Sequence, residues 1–375
     1  MFRIIVLVGM LLTAESAAAA DWTKTRFKPA AADQTESDKS ERIYVFERFL
    51  RDNLGLRPAL KRCEIGASRA RSRFGFTLDG QCKGDVGNPV FKASPRESFG
   101  LLGDPSFTQR LVGLDVDGKF YNVLYGDPTD RYDHGVFGEK LEGSTLRVEP
   151  LGFERRPPLL PADHGIELPQ TQVFEDRTPR VTDLEGFGRT HIVTILTEVT
   201  QGASVAVFGL ADDKLTLLAQ SPYIGTPNRW LNIAGIEDFD GSGSAAIALV
   251  ETPHIGGTLQ FWRWVSDREG GGSLKLVAEE KDALGYSNHV FGSREQRLSA
   301  VEDFDGDGVS DLALPSQDRR TLRLVKVEGD EITDIATVPL PSPIDKAIGV
   351  TNVDGDVVLT VGLEDGSVWA VHRTR

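Results

Sequence analysis

The chain has 375 residues, 40% hydrophobic and 26% charged, and its 56 acids against 42 Lys and Arg leave a formal charge of −14. Such an acid excess argues against general electrostatic binding to DNA, RNA or an anionic membrane surface, and it suits a protein that carries divalent cations. Past the N-terminus no apolar run approaches the ~20 residues of a membrane span, while the apolar content is enough for a large buried core.

Residues 1–20 read as a signal peptide. Arg3 gives a positive start, Ile4 to Leu12 form a short apolar stretch, and Ala18-Ala19-Ala20 before Asp21 offers a small-x-small cleavage site. A soluble periplasmic or secreted protein is expected, and loss of the leader removes Arg3 and Glu15 together, so the charge is unchanged. Residues 21–42, rich in Lys, Ala, Ser and acids, read as a flexible leader. Residues 43–108 form an N-terminal segment whose helical candidate is "SERIYVFERFLRDNLG", with Ile43, Phe46, Phe49 and Leu50 on one side. Its two cysteines, Cys63 and Cys82, can pair as a disulfide in an oxidising compartment or remain as two buried thiols.

From residue 109 onward one pattern recurs. A shortened copy, "LDVDGKFYNVLYG", starts at Leu114, and "VTDLEGFGRTHIVTI" starts at Val181 with Asp183, Glu185, Gly186 and Gly188. "IEDFDGSGSAAIALV" follows from Ile236 with Asp238, Asp240 and Ser242, then "VEDFDGDGVSDLAL" from Val301, and last the shortened "VTNVDGDVVLTVG" from Val350. The spacing of roughly 50 to 70 residues fits repeat arrays such as propeller blades. Each copy enters on an apolar-alternating strand, turns through glycines and acids, and leaves on a second apolar strand. Segments such as "TLRLVKVEG" and "ITDIATVPL" supply two more strands. The expected fold is therefore all-β, a β-propeller of four-stranded antiparallel blades over 109–375. Counting turns gives five blades, or six or seven if residues 60–108 hide a degenerate one. The last copy has about three strands, so a strand from within about 84–108 is expected to close the ring.

The phrase "VEDFDGDGVSDLAL", with its relatives at 236 and 181, resembles the repeat of the FG-GAP and VCBS group of β-propellers, which includes the calcium-binding blades of integrin α-subunit heads. The resemblance covers roughly 110–375 and implies a fold and a metal turn, without implying one activity.

Calcium takes six to eight oxygens, and a loop with carboxylates at positions 1, 3, 5 and 9 and a carbonyl at 7 can wrap it. Asp303, Asp305, Asp307 and Asp311 occupy the carboxylate positions and Val309 the carbonyl one, with Gly306 and Gly308 permitting the tight backbone. An EF-hand is excluded because Leu314 stands where its bidentate Glu belongs. The sets at Asp238, Asp240 and Ser242 and at Asp183 and Glu185 are weaker, having lost carboxylates. The expected ion is structural, a staple for the hairpin between the first two strands.

On the opposite face the connecting loops gather Arg131, Asp133, His134, Arg180, Asn228, Arg229, Trp230, Asn232, His254, Asn288, His289 and Arg294. Arginine forks and a Trp face suit a small anionic ligand, a glycan or a protein partner. The sequence contains no nucleophile elbow, zinc-type His pair or phosphate-cradling loop. A non-enzymatic binding or scaffold module is the first expectation. An enzyme acting through the His and Arg residues of this face, a polysaccharide lyase or phosphoester hydrolase, is the alternative.

Overall fold

A computed structural model describes residues 22–27, 112–116, 119–150, 164–187, 189–211, 214–267, 271–353 and 356–373. These residues form strands and turns, with no helix. The helix expected around residues 40–55 is thus not borne out, since its residues lie outside the described ones, as do Cys63, Cys82 and the segment 84–108.

The strands are β1 (Trp22–Phe27), β2 (Val112–Val116), β3 (Lys119–Thr129), β4 (Glu142–Pro150), β5 (His164–Glu167), β6 (Gln172–Phe174) and β7 (Arg180–Thr182). There follow β8 (His191–Glu198), β9 (Gly202–Ala211), β10 (Lys214–Gln220), β11 (Leu231–Glu237), β12 (Ala246–Glu251), β13 (Thr258–Ser266) and β14 (Gly272–Glu280). The last are β15 (Ala300–Glu302), β16 (Asp311–Pro315), β17 (Thr321–Glu328), β18 (Glu331–Pro339), β19 (Gly349–Val353), β20 (Asp356–Gly362) and β21 (Val368–Arg373).

All the strand pairs are antiparallel. β11 to β14 make one four-stranded sheet, β15 to β18 a second, and β19, β20, β21 and β1 a third. The remaining nine strands form one sheet in which β2 to β5 and β7 to β10 are two consecutive meanders. They are bridged by β6, which touches β4 at Gly143 and runs along β8.

Burial explains why these segments are strands and how they stack. The second strands are apolar on both faces: β8 is buried from His191 to Thr197 and β16 throughout, as expected of strands covered on two sides. Outer strands such as β18 alternate between buried and solvent-facing residues. Four apolar clusters lie between successive units. One joins Tyr125 and Leu146 to Phe174 and Phe208, and a second joins Val193 and Val205 to Ile247 and Trp264. A third joins Phe261 to Leu312 and Val325, and a fourth joins Phe304 and Leu324 to Leu359 and Val371. Where β11 passes β15 the residue is Gly235, because a Cβ there would sit 2.5 Å from Val301 Cγ2.

The strand that completes the last sheet is β1, paired in register from Trp22↔Arg373 to Phe27↔Val368. It replaces the strand expected from 84–108, and it takes residues 22–27 out of the expected flexible leader. The reason is packing. Trp22 meets Phe304 edge-on at 5.9 Å, with the Arg373 guanidinium over its ring and the Lys24 ammonium over Trp369.

The acidic turns share one rim: Gly186 approaches Gly243, Gly241 approaches Val309, and Gly306 approaches Arg373. The loops entering β4, β7, β11, β13 and β15 meet at the opposite end.

Candidate functional site: an acidic turn and a histidine cluster

Glu302 and Asp311 form the last pair of the β15–β16 ladder, and the chain between them doubles back on its own carboxylates. Asp303 accepts the amides of Gly306 at 2.6 Å and Gly308 at 2.9 Å, and Asp305 accepts that of Asp307 at 3.1 Å. Asp307 accepts Val309 N–H at 2.8 Å, and Asp311 accepts Phe304 N–H at 2.7 Å. Gly306 and Gly308 have φ of 86° and 88°, a backbone that side chains with a Cβ rarely adopt. One oxygen each from Asp303, Asp305 and Asp311 lies within 4.8 Å of the others. Asp307 stays outside this set as a cap for the turn. Burial lifts the Asp311 carboxyl to about 7 against the pull of its Phe304 amide, with the charges of Asp305, Asp307 and Asp303 adding to the lift. An all-oxygen donor set of this kind could hold a hard cation.

The two earlier turns keep the backbone and supply their own cation. Asp238 and Asp240 accept Ser242 N–H at 3.0 and 3.1 Å, but the Arg263 guanidinium of β13 sits on the Asp240 carboxylate. Glu185 meets Arg189 at 3.8 Å and His191 at 4.0 Å and accepts Trp264 Nε1–H at 3.1 Å. In the Asp303 turn Lys326, on the strand corresponding to that of Arg263, pairs with Asp305 at 3.2 Å and shares its charge with Glu328 at 2.9 Å. Asp303 and Asp311 have no such partner among the ion pairs of the described residues. The weaker sets are therefore neutralised turns, and among the described residues only the Asp303 turn converges as a metal site.

At the other rim, hydrogen bonds fix the imidazole tautomers. His289 Nε2–H donates to the Ser293 carbonyl at 3.0 Å, so its Nδ1 is an acceptor and receives His254 Nε2–H at 2.9 Å. That leaves His254 Nδ1 as a lone pair. His134 Nδ1 meets the fully buried Glu175 at 2.6 Å, and the other Glu175 oxygen accepts the Thr197 hydroxyl at 2.9 Å. Trp230 lies beneath, stacked on His254 at 5.8 Å with 5° between planes, and its Nε1–H donates to the Glu175 carbonyl. Phe291 stands edge-on to both His134 and His254 and is 55% exposed.

Burial holds His254 down to about 4 and His289 down to about 3, each with help from a neighbouring imidazole and Arg319. Their folded pKa values lie below the ordinary 6.5, so the stability they contribute is complete above pH 6.5 and is lost as pH falls toward 4 and 3. Buried Glu142 and Glu175 are shifted upward by burial and work in the opposite sense, favouring the fold at low pH. Replacing His289 by Gln keeps a donor for Ser293 and removes one titration. The decline of unfolding free energy from pH 6 to 4 should then flatten by up to about 1.4 kcal/mol per pH unit, read from urea melts. An unchanged acid limb would show that His289 is not titrating there.

No family model and no curated protein matches the chain.

Of the residues expected at this face, His134, Trp230, His254 and His289 come together, with Asn232 and Asn288 buried behind them. Asn232 Nδ2 donates to the Asn288 and Gln296 carbonyls, and Asn288 Nδ2 donates back to the Asn232 carbonyl. Two of the arginines are ion-paired, and Arg131 has buried Nε and Nη2 atoms without a hydrogen-bond partner. Arg180 pairs with Asp176 and Arg294 with Glu139 at 3.2 Å, while Arg229 donates to the carbonyl of its neighbour Asn228. Asp133 is exposed, 4.0 Å from Lys140, and the Arg131 charge lies in the field of Glu167 on β5. The sequence reading missed the acids beneath the loops: Glu139, Glu142 and Asp176 are buried. The only signal was their spacing from Arg177 and Arg180, which in a loop reads equally well as solvated charge.

Proposed function

We propose that the chain is an exported, calcium-stabilised β-propeller of the FG-GAP and VCBS type, acting as a non-enzymatic binding module through its histidine rim. Five four-stranded units in series, four apolar interfaces between neighbours, and an N-terminal strand completing the C-terminal sheet support a five-bladed ring. Export rests on the leader at residues 1–20. The observation that carries the reading is the contrast between turns: two have a carboxylate paired with their own Arg, and the third brings three carboxylates together among the described residues. Calcium there would staple the β15–β16 hairpin. Isothermal titration of the mature chain with calcium should give one site per chain, with Kd in the 10⁻⁴ to 10⁻³ M range typical of extracellular modules. A stoichiometry of three, or no heat at all, would contradict it.

A second reading, a propeller enzyme such as a polysaccharide lyase or phosphoester hydrolase, draws on one feature: the 2.6 Å pair of His134 and buried Glu175 has the geometry of an oriented general base. Turnover of a polyuronate or a phosphodiester that disappears in His134→Gln would favour it.

A further inference from the structure

The register of the third strand in each unit brings a cation to its acidic turn. Arg263 on β13 lies opposite Ala246, the residue that heads β12. One residue beyond the Leu312↔Val325 pair, Lys326 on β17 takes the same place opposite Asp311, the head of β16. Arg263 closes on Asp240 there, and Lys326 stands 3.2 Å from Asp305. In the earlier unit that place falls to Gly209, opposite His191, and Glu185 meets Arg189 and His191 instead. The two third-strand cations differ in where else they can go. Residues i and i+2 of a strand share a face. Two along from Lys326 is the exposed Glu328, which takes the ammonium at 2.9 Å. Two along from Arg263 is Val265, which offers no charge, and among the described residues Arg263 pairs with Asp240 alone. A guanidinium is moreover a rigid fork matched to a carboxylate, whereas an ammonium is a point charge on a flexible stem. Arg263 is thus fixed on its turn, while Lys326 can leave Asp305 without losing its counter-charge.

Resting on the calcium reading of the Asp303 turn, we infer that Lys326 is a built-in competitor for Asp305 and that Glu328 is its release point. Calcium enters as the ammonium passes wholly to Glu328, and this exchange sets the affinity of the turn. A divalent ion on Asp305 would lie close to the ammonium and be repelled by it, and Glu328 offsets part of that repulsion by holding the ammonium away.

The test is calcium titration calorimetry on the mature wild-type chain, Lys326→Gln, Glu328→Gln and the double variant. Melting in chelator checks folding, and each variant should stay within about a degree of wild type because the side chains changed are part-exposed or exposed. Lys326→Gln removes the competitor and should bind calcium about three- to tenfold tighter, since a part-exposed ion pair and the repulsion of one ammonium in water each amount to a factor of a few. Glu328→Gln leaves the ammonium with Asp305 alone and should bind more weakly by a similar factor. The double variant decides the mechanism: with Lys326 gone Glu328 has nothing to hold, so the double variant should match Lys326→Gln within about twofold. If Glu328→Gln weakens binding equally with and without Lys326, the acid acts by its own charge and the exchange is overturned. Equal affinities in wild type and Lys326→Gln would overturn it too, while leaving one calcium per chain intact. Absence of calcium heat from both wild type and Lys326→Gln would overturn the calcium reading itself, and the inference with it.

Discussion

Withdrawing calcium should lower the melting temperature of the wild-type chain by a few degrees and leave that of Asp305→Asn unchanged. A ligand bound only by the native state stabilises by RT ln(1 + [L]/Kd), about 1.4–2.7 kcal/mol when calcium exceeds Kd by roughly ten- to a hundredfold. A kcal/mol moves the midpoint of a domain above 150 residues by about 2–4 °C. The choice of Asp305 follows from its contacts. Its side chain keeps an acceptor for the Asp307 amide as Asn, and the ion pair it gives up, with Lys326, is part-exposed and contributes little. In chelator, variant and wild type should therefore melt within about one degree of each other, and calcium should separate them. Arg263→Gln serves as the comparison at the neighbouring turn, where its guanidinium occupies the corresponding carboxylate. Should calcium move the midpoint of Asp305→Asn as far as that of wild type, the Asp303 turn is not where the ion sits.

The Asp303 turn and its flanking strands were legible because everything that defines them is local. Asp303, Gly306, Gly308 and Asp311 lie within one turn, and the flanking strands betray themselves by buried apolar runs such as Leu312 to Leu314. The same reading could not see that Arg263 pairs with Asp240, because Arg263 lies on the next strand but one and only the β12–β13 register brings it there. β1 escaped for the same reason at longer range. Nothing near Trp22 in sequence says that its partner is Arg373, and a six-residue strand with Lys24 and Arg26 has the composition of a solvated leader. At the histidine rim the residue types were visible and their states were not. The loops showed arginine and suggested an anion, whereas the fold spends two of those arginines, Arg180 and Arg294, on acids the loops also carry.

The largest of these internal pairings centres on Asp176, whose side chain is fully buried and whose replacement by Ala should cost about 3–5 kcal/mol. Its two oxygens accept the Tyr125 hydroxyl at 2.7 Å, the Arg177 amide at 2.8 Å, the Gln296 amide side chain at 3.1 Å and the Ile195 amide at 3.2 Å, and they pair with Arg180. These donors come from β3, the loop into β7, the loop into β15, and β8, so one carboxylate ties the first two units to the loop that also carries His289. Burial and the Asp176 charge hold the Tyr125 phenol protonated, its pKa well above the ordinary value, which keeps it a donor throughout. Asp176→Asn keeps the shape but turns an NH₂ toward one group of these donors, so it should still lose about 2 kcal/mol or more, since unmade buried bonds each cost about 1–3. Tyr125→Phe, which removes one donor and leaves the rest, should lose only about 1 kcal/mol. Urea unfolding of the three variants ranks them. If Asp176→Ala proves no worse than Tyr125→Phe, the carboxylate is a bystander and the units are held together by their apolar faces alone. If it falls as expected, Trp230 fluorescence should also respond, because the loop bearing Asp176 carries the Glu175 carbonyl that receives the indole N–H. The hub and the histidine rim would then be one connected network, in which the sheets fix the loops through a buried charge and the loops in turn fix the imidazoles.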